Sequence, residues 1–239
     1  MMNPRAPMIG FDRFIDREWA ATALKIRAGE AGLGELEALL DQAALGAAAR
    51  KKTRTVLNRL WLEPRAQLVS FADRGAELSR YKSAQVTAVL SWGMAIATYP
   101  FFGKVAEIIG RLSALQGDCA STEIHRRMSE IYGEREGTRR MTNMVMQTQA
   151  GWGAILRSNN GKRIIRQPAM KVGNEELIAW LIEAAVRYSD RPLSMTSLQS
   201  FPVLFPFRLD RSLSFVASLS PHLDIREEGS AIPIVTIRS

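Results

Sequence analysis

Between Lys82 and Lys104 the chain carries no charged residue, and it places Val86, Val89, Leu90, Trp92, Met94, Ile96, Tyr99, Phe101 and Phe102 in that interval. So apolar a stretch has two destinations, a bilayer or a protein core. About 20 consecutive apolar residues are needed to cross a bilayer as a helix. Here Gln85, Thr87, Ser91 and Thr98 dilute the run, Gly93 and several alanines lower its apolarity, and Pro100 ends the first helix short. The expectation is a buried central helix, with an amphipathic helix over residues 101–115 packed beside it. The rest of the chain has to supply the surfaces that cover this pair.

The stretch after it, residues 120–167, reads as helix, tight turn, helix and two-stranded ribbon, the outline of a winged helix-turn-helix. Residues 120–132 carry Ile124, Met128 and Ile131 at helical spacing, and Gly133 to Gly137 interrupts them. Thr138 is the expected N-cap of the second helix. In that helix Met141, Met144, Val145, Thr148 and Trp152 fall on one stripe, which marks the buried side. Arg139, Arg140, Asn143 and Gln147 lie on the other. Asn159-Asn160-Gly161, set between two β-prone runs, is a strong hairpin signal. Lys162 and Arg163 make the ribbon basic.

The 239 residues include 32 Lys and Arg against 24 Asp and Glu, a formal net charge of +8. This balance favours a polyanionic partner, nucleic acid or an anionic surface. A recognition helix needs long donors turned away from its own core. Arg pairs bidentately with guanine and Asn or Gln with adenine, while Lys and Arg hold phosphates. The central helix has these residue types at the required spacing. A solvated face in a unit that binds only protein is the competing reading.

Residues 1–66 read as a helical bundle, with helices over residues 16–28, around Leu36 to Leu45, and over residues 47–61. The last of these is basic, through Arg50, Lys51, Lys52, Arg54 and Arg59. Thr53-Arg54 and Trp61 echo Thr138-Arg139 and Trp152, so this bundle is expected to be helix-turn-helix-like. Residues 67–173 form the central unit. Residues 174–239 read as a winged-helix-like module: a helix capped by Asn174, a Phe- and Pro-rich stretch over residues 200–207 with no regular form, a short helix capped by Asp210, and a hairpin whose tip holds Glu227 and Glu228. An acidic tip repels phosphate, so this module is expected to pack or to bind protein. The fold class expected is mainly α, of the α+β kind.

One cysteine, Cys119, excludes an intramolecular disulfide and suits a reducing compartment. Residues 1–10 lack the apolar core of a signal peptide. There is no Walker A sequence and no Rossmann glycine fingerprint. Cys119 reads as a loop thiol and His125 as a helix-surface imidazole, and Asp12, Asp16 and Glu18 as the ordinary start of a helix. No enzyme, metal or cofactor is expected.

Three features resemble the small BrxA-like proteins of BREX phage-defence loci. They are the basic helix running from Lys52-Thr53-Arg54 to Asn58-Arg59-Leu60, the apolar helix ending in Ala97-Thr98-Tyr99-Pro100-Phe101-Phe102, and the helix-turn-helix with its hairpin. They cover residues 47–166. The resemblance implies a small, mostly helical, non-enzymatic protein that binds double-stranded DNA and works with other proteins of a defence locus; such proteins have also been described as possible inner-membrane proteins, and the expectation for this chain is a soluble, cytoplasmic one. A membrane-associated protein, a transcriptional regulator with one operator, and a protein-binding scaffold are the rivals. The Pro- and Phe-rich tail and Trp152 depart from the family pattern.

Overall fold

The computed structural model describes residues 9–227 and 233–238. The described residues are mainly helical, with small sheets of two and three strands. The helices and strands follow in the order α1 (Arg17–Arg27), α2 (Leu33–Gln42), α3 (Ala47–Leu57), α4 (Val69–Leu78), α5 (Ala84–Thr98), α6 (Pro100–Gln116), β1 (Asp118–Ala120), α7 (Ser121–Tyr132), α8 (Glu136–Gly151), β2 (Ile155–Ser158), β3 (Arg163–Arg166) and β4 (Met170–Val172). After them come α9 (Glu175–Ser189), β5 (Leu193–Ser194), α10 (Met195–Gln199), β6 (Phe207–Leu209), α11 (Leu213–Leu219), β7 (Leu223–Glu227) and β8 (Pro233–Ile237).

The uncharged run becomes α5, which starts at the cap formed by Ser83 and stops where Pro100 opens α6. Proline fits the first turn of a helix, where its missing N–H has no partner to lose. Val89, Leu90, Trp92, Met94, Ala95 and Ile96 are buried. Among the described residues no single helix is long and apolar enough to cross a membrane; α5 and α6 would reach that length only together, and they meet at 114°.

Helix α9 covers α5, and its Asn174 cap accepts a 3.0 Å bond from the Leu177 N–H, as expected. Trp180 of α9 stacks on Phe71 with ring centroids 4.2 Å apart and donates its indole N–H to the Phe71 carbonyl at 3.0 Å. A β-carbon at Gly93 would lie 2.3 Å from the Trp180 ring, so the α5–α9 crossing requires glycine there. One contiguous core runs from Phe11 to Val235 and draws on all three stretches of the chain.

The sheets are short. β1, β3 and β2 form an antiparallel sheet in that order, and β5, β8 and β7 form a second with the same arrangement. In each, a short strand before a helix pairs with the far arm of a later hairpin. The tip of the second hairpin, including Glu228, lies outside the described residues.

Several local expectations change. Helix α3 ends at Leu57 and passes into a π-helical turn, Asn58–Leu62, rather than continuing to Trp61 as one α-helix. The cap of α11 is Ser212 and not Asp210. Asp210 instead donates its backbone N–H to the Val172 carbonyl, extending the β4–β6 pair. Ile131 is exposed, because α7 turns the side carrying Ile124, Met128 and Tyr132 inward. Thr138 caps nothing: α8 begins at Glu136 behind Arg135, and Thr138 is wholly buried. Met144 is half-buried, its side of α8 being less enclosed than that of Val145.

Replacing Gly93 with Ala forces the Trp180 ring from its stack. Overpacking of this kind costs about 1–3 kcal/mol. Urea unfolding is expected to show a lower midpoint at unchanged slope, and a midpoint equal to the parent's would mean the α5–α9 crossing has room to spare.

Candidate nucleic-acid interface

The segment from α6 to β3 makes one structural unit because its termini are sewn together by backbone bonds. The Ser121 N–H, one of the donors that a helix start leaves unpaired, bonds the Lys162 carbonyl at 2.9 Å. Ala120 pairs with Arg163 across β1 and β3. The hairpin turns through Asn159, Asn160 and Gly161, with φ of 50°, 53° and 79°. Asn and Gly are the residues that tolerate this left-handed region, which is why the sequence signal was legible.

This arrangement makes a groove between the start of α7, the outer face of α8 and the hairpin turn. Arg139, Arg140, Asn143, Asn160 and Lys162 line it, and so do His125, Arg157 and Glu136. Five of the eight residues expected to meet nucleic acid in this unit therefore converge. The other three do not. Thr138 is enclosed in the core and cannot touch a ligand. Gln147 lies further along α8 and is half-buried away from the groove. Arg163 points to Asp118, its Nε donating to the carboxylate at 2.7 Å.

Arg157 is the groove residue that sequence reasoning missed. It sits on β2, where alternation alone does not say which face is wet. Its guanidinium donates to the Asn143 Oδ1 at 2.8 Å, which fixes that amide beside the Arg139 side chain. Burial lowers the Arg157 pKa from its ordinary value. His125 feels the same surroundings: burial first, then the charges of Arg139 and Arg157, push its pKa below the usual histidine value. Its Nδ1 is buried without a hydrogen-bond partner. His125 is thus a half-buried groove residue and not the surface imidazole that its spacing suggested. Among the described residues Arg139, Arg140, Arg157 and Lys162 are in no ion pair.

The N-terminal basic helix differs. Arg50 bonds Glu37 at 2.6 Å and also pairs with Asp41, Arg54 pairs with Glu37 and donates to Asn58, and Lys52 stands 3.5 Å from Asp12. Lys51 and Arg59 have no carboxylate partner among the described residues. Much of the charge expected to face a polyanion is already met by α2. On α7, Arg126 and Arg127 are likewise engaged, and their hydrogen bonds hold Glu123 down to about 2.

Cys119 belongs to a strand, β1, rather than a loop. Burial, with the Asp118 charge beside it, pushes its thiol up to about 11, so it is protonated and a poor nucleophile at neutral pH. Asp16 caps α1, accepting from the Glu18 N–H at 2.7 Å. Among the described residues no three His, Cys, Asp or Glu side chains are grouped to hold a metal. Comparison of the chain with protein-family models, curated proteins and solved structures gave no match.

The His125 environment makes a pH prediction. The native pKa lies below the unfolded value of about 6.5, so the associated stability is intact above that pH and is lost as pH falls from there through the native pKa. Arg139→Glu removes a repelling cation and adds an anion, so the His125 pKa is expected to rise and the acid sensitivity to shrink. An NMR titration of the imidazole reads this directly. No upward movement would show that the groove's charge does not reach His125.

Proposed function

We propose that the unit from α6 to β3 is a winged helix that binds duplex DNA, mainly through its phosphates. The observation that carries this reading is the convergence of Arg139, Arg140, Arg157 and Lys162 in one groove where, although Glu136 lines it too, none of the four is in an ion pair among the described residues. A site of this kind gains affinity by releasing counterions from the DNA backbone. Asn143, held by Arg157, is the side chain placed for a base edge, where Asn recognises adenine. The hairpin turn at Asn160 supplies the wing.

The strand order of the C-terminal sheet repeats that of the first, which supports reading the stretch from α9 to β8 as a second winged-helix-like unit. Its helix α11 exposes Phe215 and Leu219 where α8 exposes arginines. Apolar exposure on this scale suits protein contact better than phosphate. The N-terminal helix contributes chiefly Lys51 and Arg59, since Arg50 and Arg54 are met by Glu37. With the resemblance to BrxA-like proteins, the whole reads as a non-enzymatic, cytoplasmic, DNA-binding accessory protein of a BREX-type defence system, without a cofactor, working beside other proteins of its locus.

Arg139→Glu with Lys162→Glu is expected to weaken duplex binding and flatten its salt dependence, by about 0.9 in the slope of log K against log salt for each phosphate no longer held. Fluorescence anisotropy over a salt series measures this, and an unchanged slope in the folded variant would remove this groove from the interface. Lys51→Ala with Arg54→Ala should lose less, and equally on all sequences. Strong preference for a single duplex sequence would favour the transcriptional regulator; no retention on DNA at physiological salt would favour the scaffold.

A further inference from the structure

A second concavity lies between α6, the base of β3, the linker that follows α10, β6 and the start of α11. Its volume is about 840 Å³, within the roughly 300–1,000 Å³ of typical ligand clefts. Four arginines line it, Arg111, Arg166, Arg208 and Arg211, and no Asp or Glu does. Arg166 is fixed in place, donating to the Phe205 carbonyl at 2.7 Å with its guanidinium over the Phe205 ring. Arg111 reaches back to Glu107 and Arg211 stands 3.8 Å from Glu175, both carboxylates lying outside the wall. Arg208 is exposed and in no ion pair among the described residues. The half-buried Phe201 gives the wall an apolar step.

One edge of this groove is a strand paired on one side only among the described residues. β6 pairs in parallel with β4 and has no second partner among the described residues. The Met170 N–H bonds the Pro206 carbonyl and the Asp210 N–H bonds the Val172 carbonyl, so residues 206, 208 and 210 present their backbone to β4. Alternation along a strand then turns the N–H and C=O of Phe207 and Leu209 the other way, and both residues line the groove.

From these two observations we infer that the groove is a docking site for an extended acidic segment of a partner protein, which adds to the free edge of β6. Main-chain bonds to an exposed edge give such a complex its affinity, and side-chain pockets give it selectivity. Arginine forks pair bidentately with carboxylates, and an arginine-lined wall without acids selects for Asp and Glu on the segment. Phe201 and the apolar floor take an aliphatic or aromatic anchor. A nucleic acid strand is disfavoured because the Phe205 and Phe207 rings are buried, which leaves the half-buried Phe201 without a neighbouring ring in the wall on which a next base could stack. This inference does not depend on DNA binding by the α8 groove.

The test is selection from a displayed library of random twelve-residue peptides on the full chain, beside two folded variants of equal net charge. Arg208→Glu with Arg211→Glu alters the groove; Arg17→Glu with Lys25→Glu alters charge elsewhere. The parent and the second variant are expected to enrich peptides rich in Asp and Glu with an apolar anchor. The groove variant should bind the winning peptide at least tenfold more weakly. Hydrogen exchange should show the peptide protecting the amides of Phe207 and Leu209. Peptides without acidic enrichment, equal loss in both variants, or unprotected amides at those positions would each overturn the inference. Displacement of the peptide from the Arg139→Glu, Lys162→Glu variant by a duplex or a single strand would also overturn it, in favour of a nucleic-acid groove.

Discussion

The fold depends on how closely α9 can lie against the charge-free helices. Two glycines, one on α5 and one on α6, set that distance, and a third on α6 admits the backbone after α10. A β-carbon at Gly93 would meet the Trp180 ring at 2.3 Å, one at Gly103 the Tyr188 ring at 2.3 Å, and one at Gly110 the Pro202 carbonyl oxygen at 2.1 Å. The aromatic side chains of α9 and the backbone after α10 therefore occupy volume that any other residue would fill. Close packing of this kind makes the core intolerant of added methylenes. It also fits the lack of charges on α5: from Val89 to Ile96 every residue is buried, and an unpaired charge there would face a large desolvation cost. The one buried carboxylate on α9, Glu183, sits at the margin of this packing and is met by both Arg74 and Arg187.

A second coupling holds the α8 groove in place from behind. The segment before α1 passes beneath the end of α8. The Ile15 N–H donates to Thr148 Oγ1 at 2.9 Å, and the Trp152 indole returns a bond to the Ile15 carbonyl at 3.1 Å. Phe11, just before, packs its ring against Tyr99 and Phe102 with centroids 5.2 Å away in each case. The Tyr99 hydroxyl then donates to the Val56 carbonyl at 3.0 Å, reaching the basic N-terminal helix. The inner side of α8 is thus committed to structure, which leaves Arg139, Arg140 and Asn143 as its free side. Trp152 is the residue that makes this tie.

The sequence was most legible where periodicity and turn chemistry agreed. The Asn-Asn-Gly hairpin, the Asn174 cap and the buried course of α5 follow from local rules. It was least legible where tertiary contacts decide. The strands β1, β5 and β6 span only two or three residues, too few for alternation to register, and exist because a distant hairpin arm or β4 lies beside them. Thr138 was misplaced because a threonine before a helical run reads as a cap. Here α8 starts two residues earlier, and Thr138 turns inward, its carbonyl accepting from Thr142 Oγ1 at 2.8 Å. Arg157 was missed because nothing local marks which side of a four-residue strand faces a groove.

Charge shows the same division between what composition and what geometry can say. A net charge of +8 describes the chain, yet it does not locate the surface that carries the excess. The longest basic run, at Arg50 to Arg54, is largely answered by Glu37, Asp41 and Asp12. Salt bridges at such exposed sites contribute little stability, and they still lower the positive potential that a polyanion would feel. The α8 groove gathers its cations from a helix, a strand and a turn, so no run in the sequence displays them together. What distinguishes it is that, although Glu136 lines it, none of its four cations is in an ion pair among the described residues. Burial is the larger cause of the lowered pKa of His125, and the charges of Arg139 and Arg157 add to it, because a neutral imidazole is favoured where positive charge crowds it. A surface built this way is unfavourable to the protein alone, and an incoming anion relieves it.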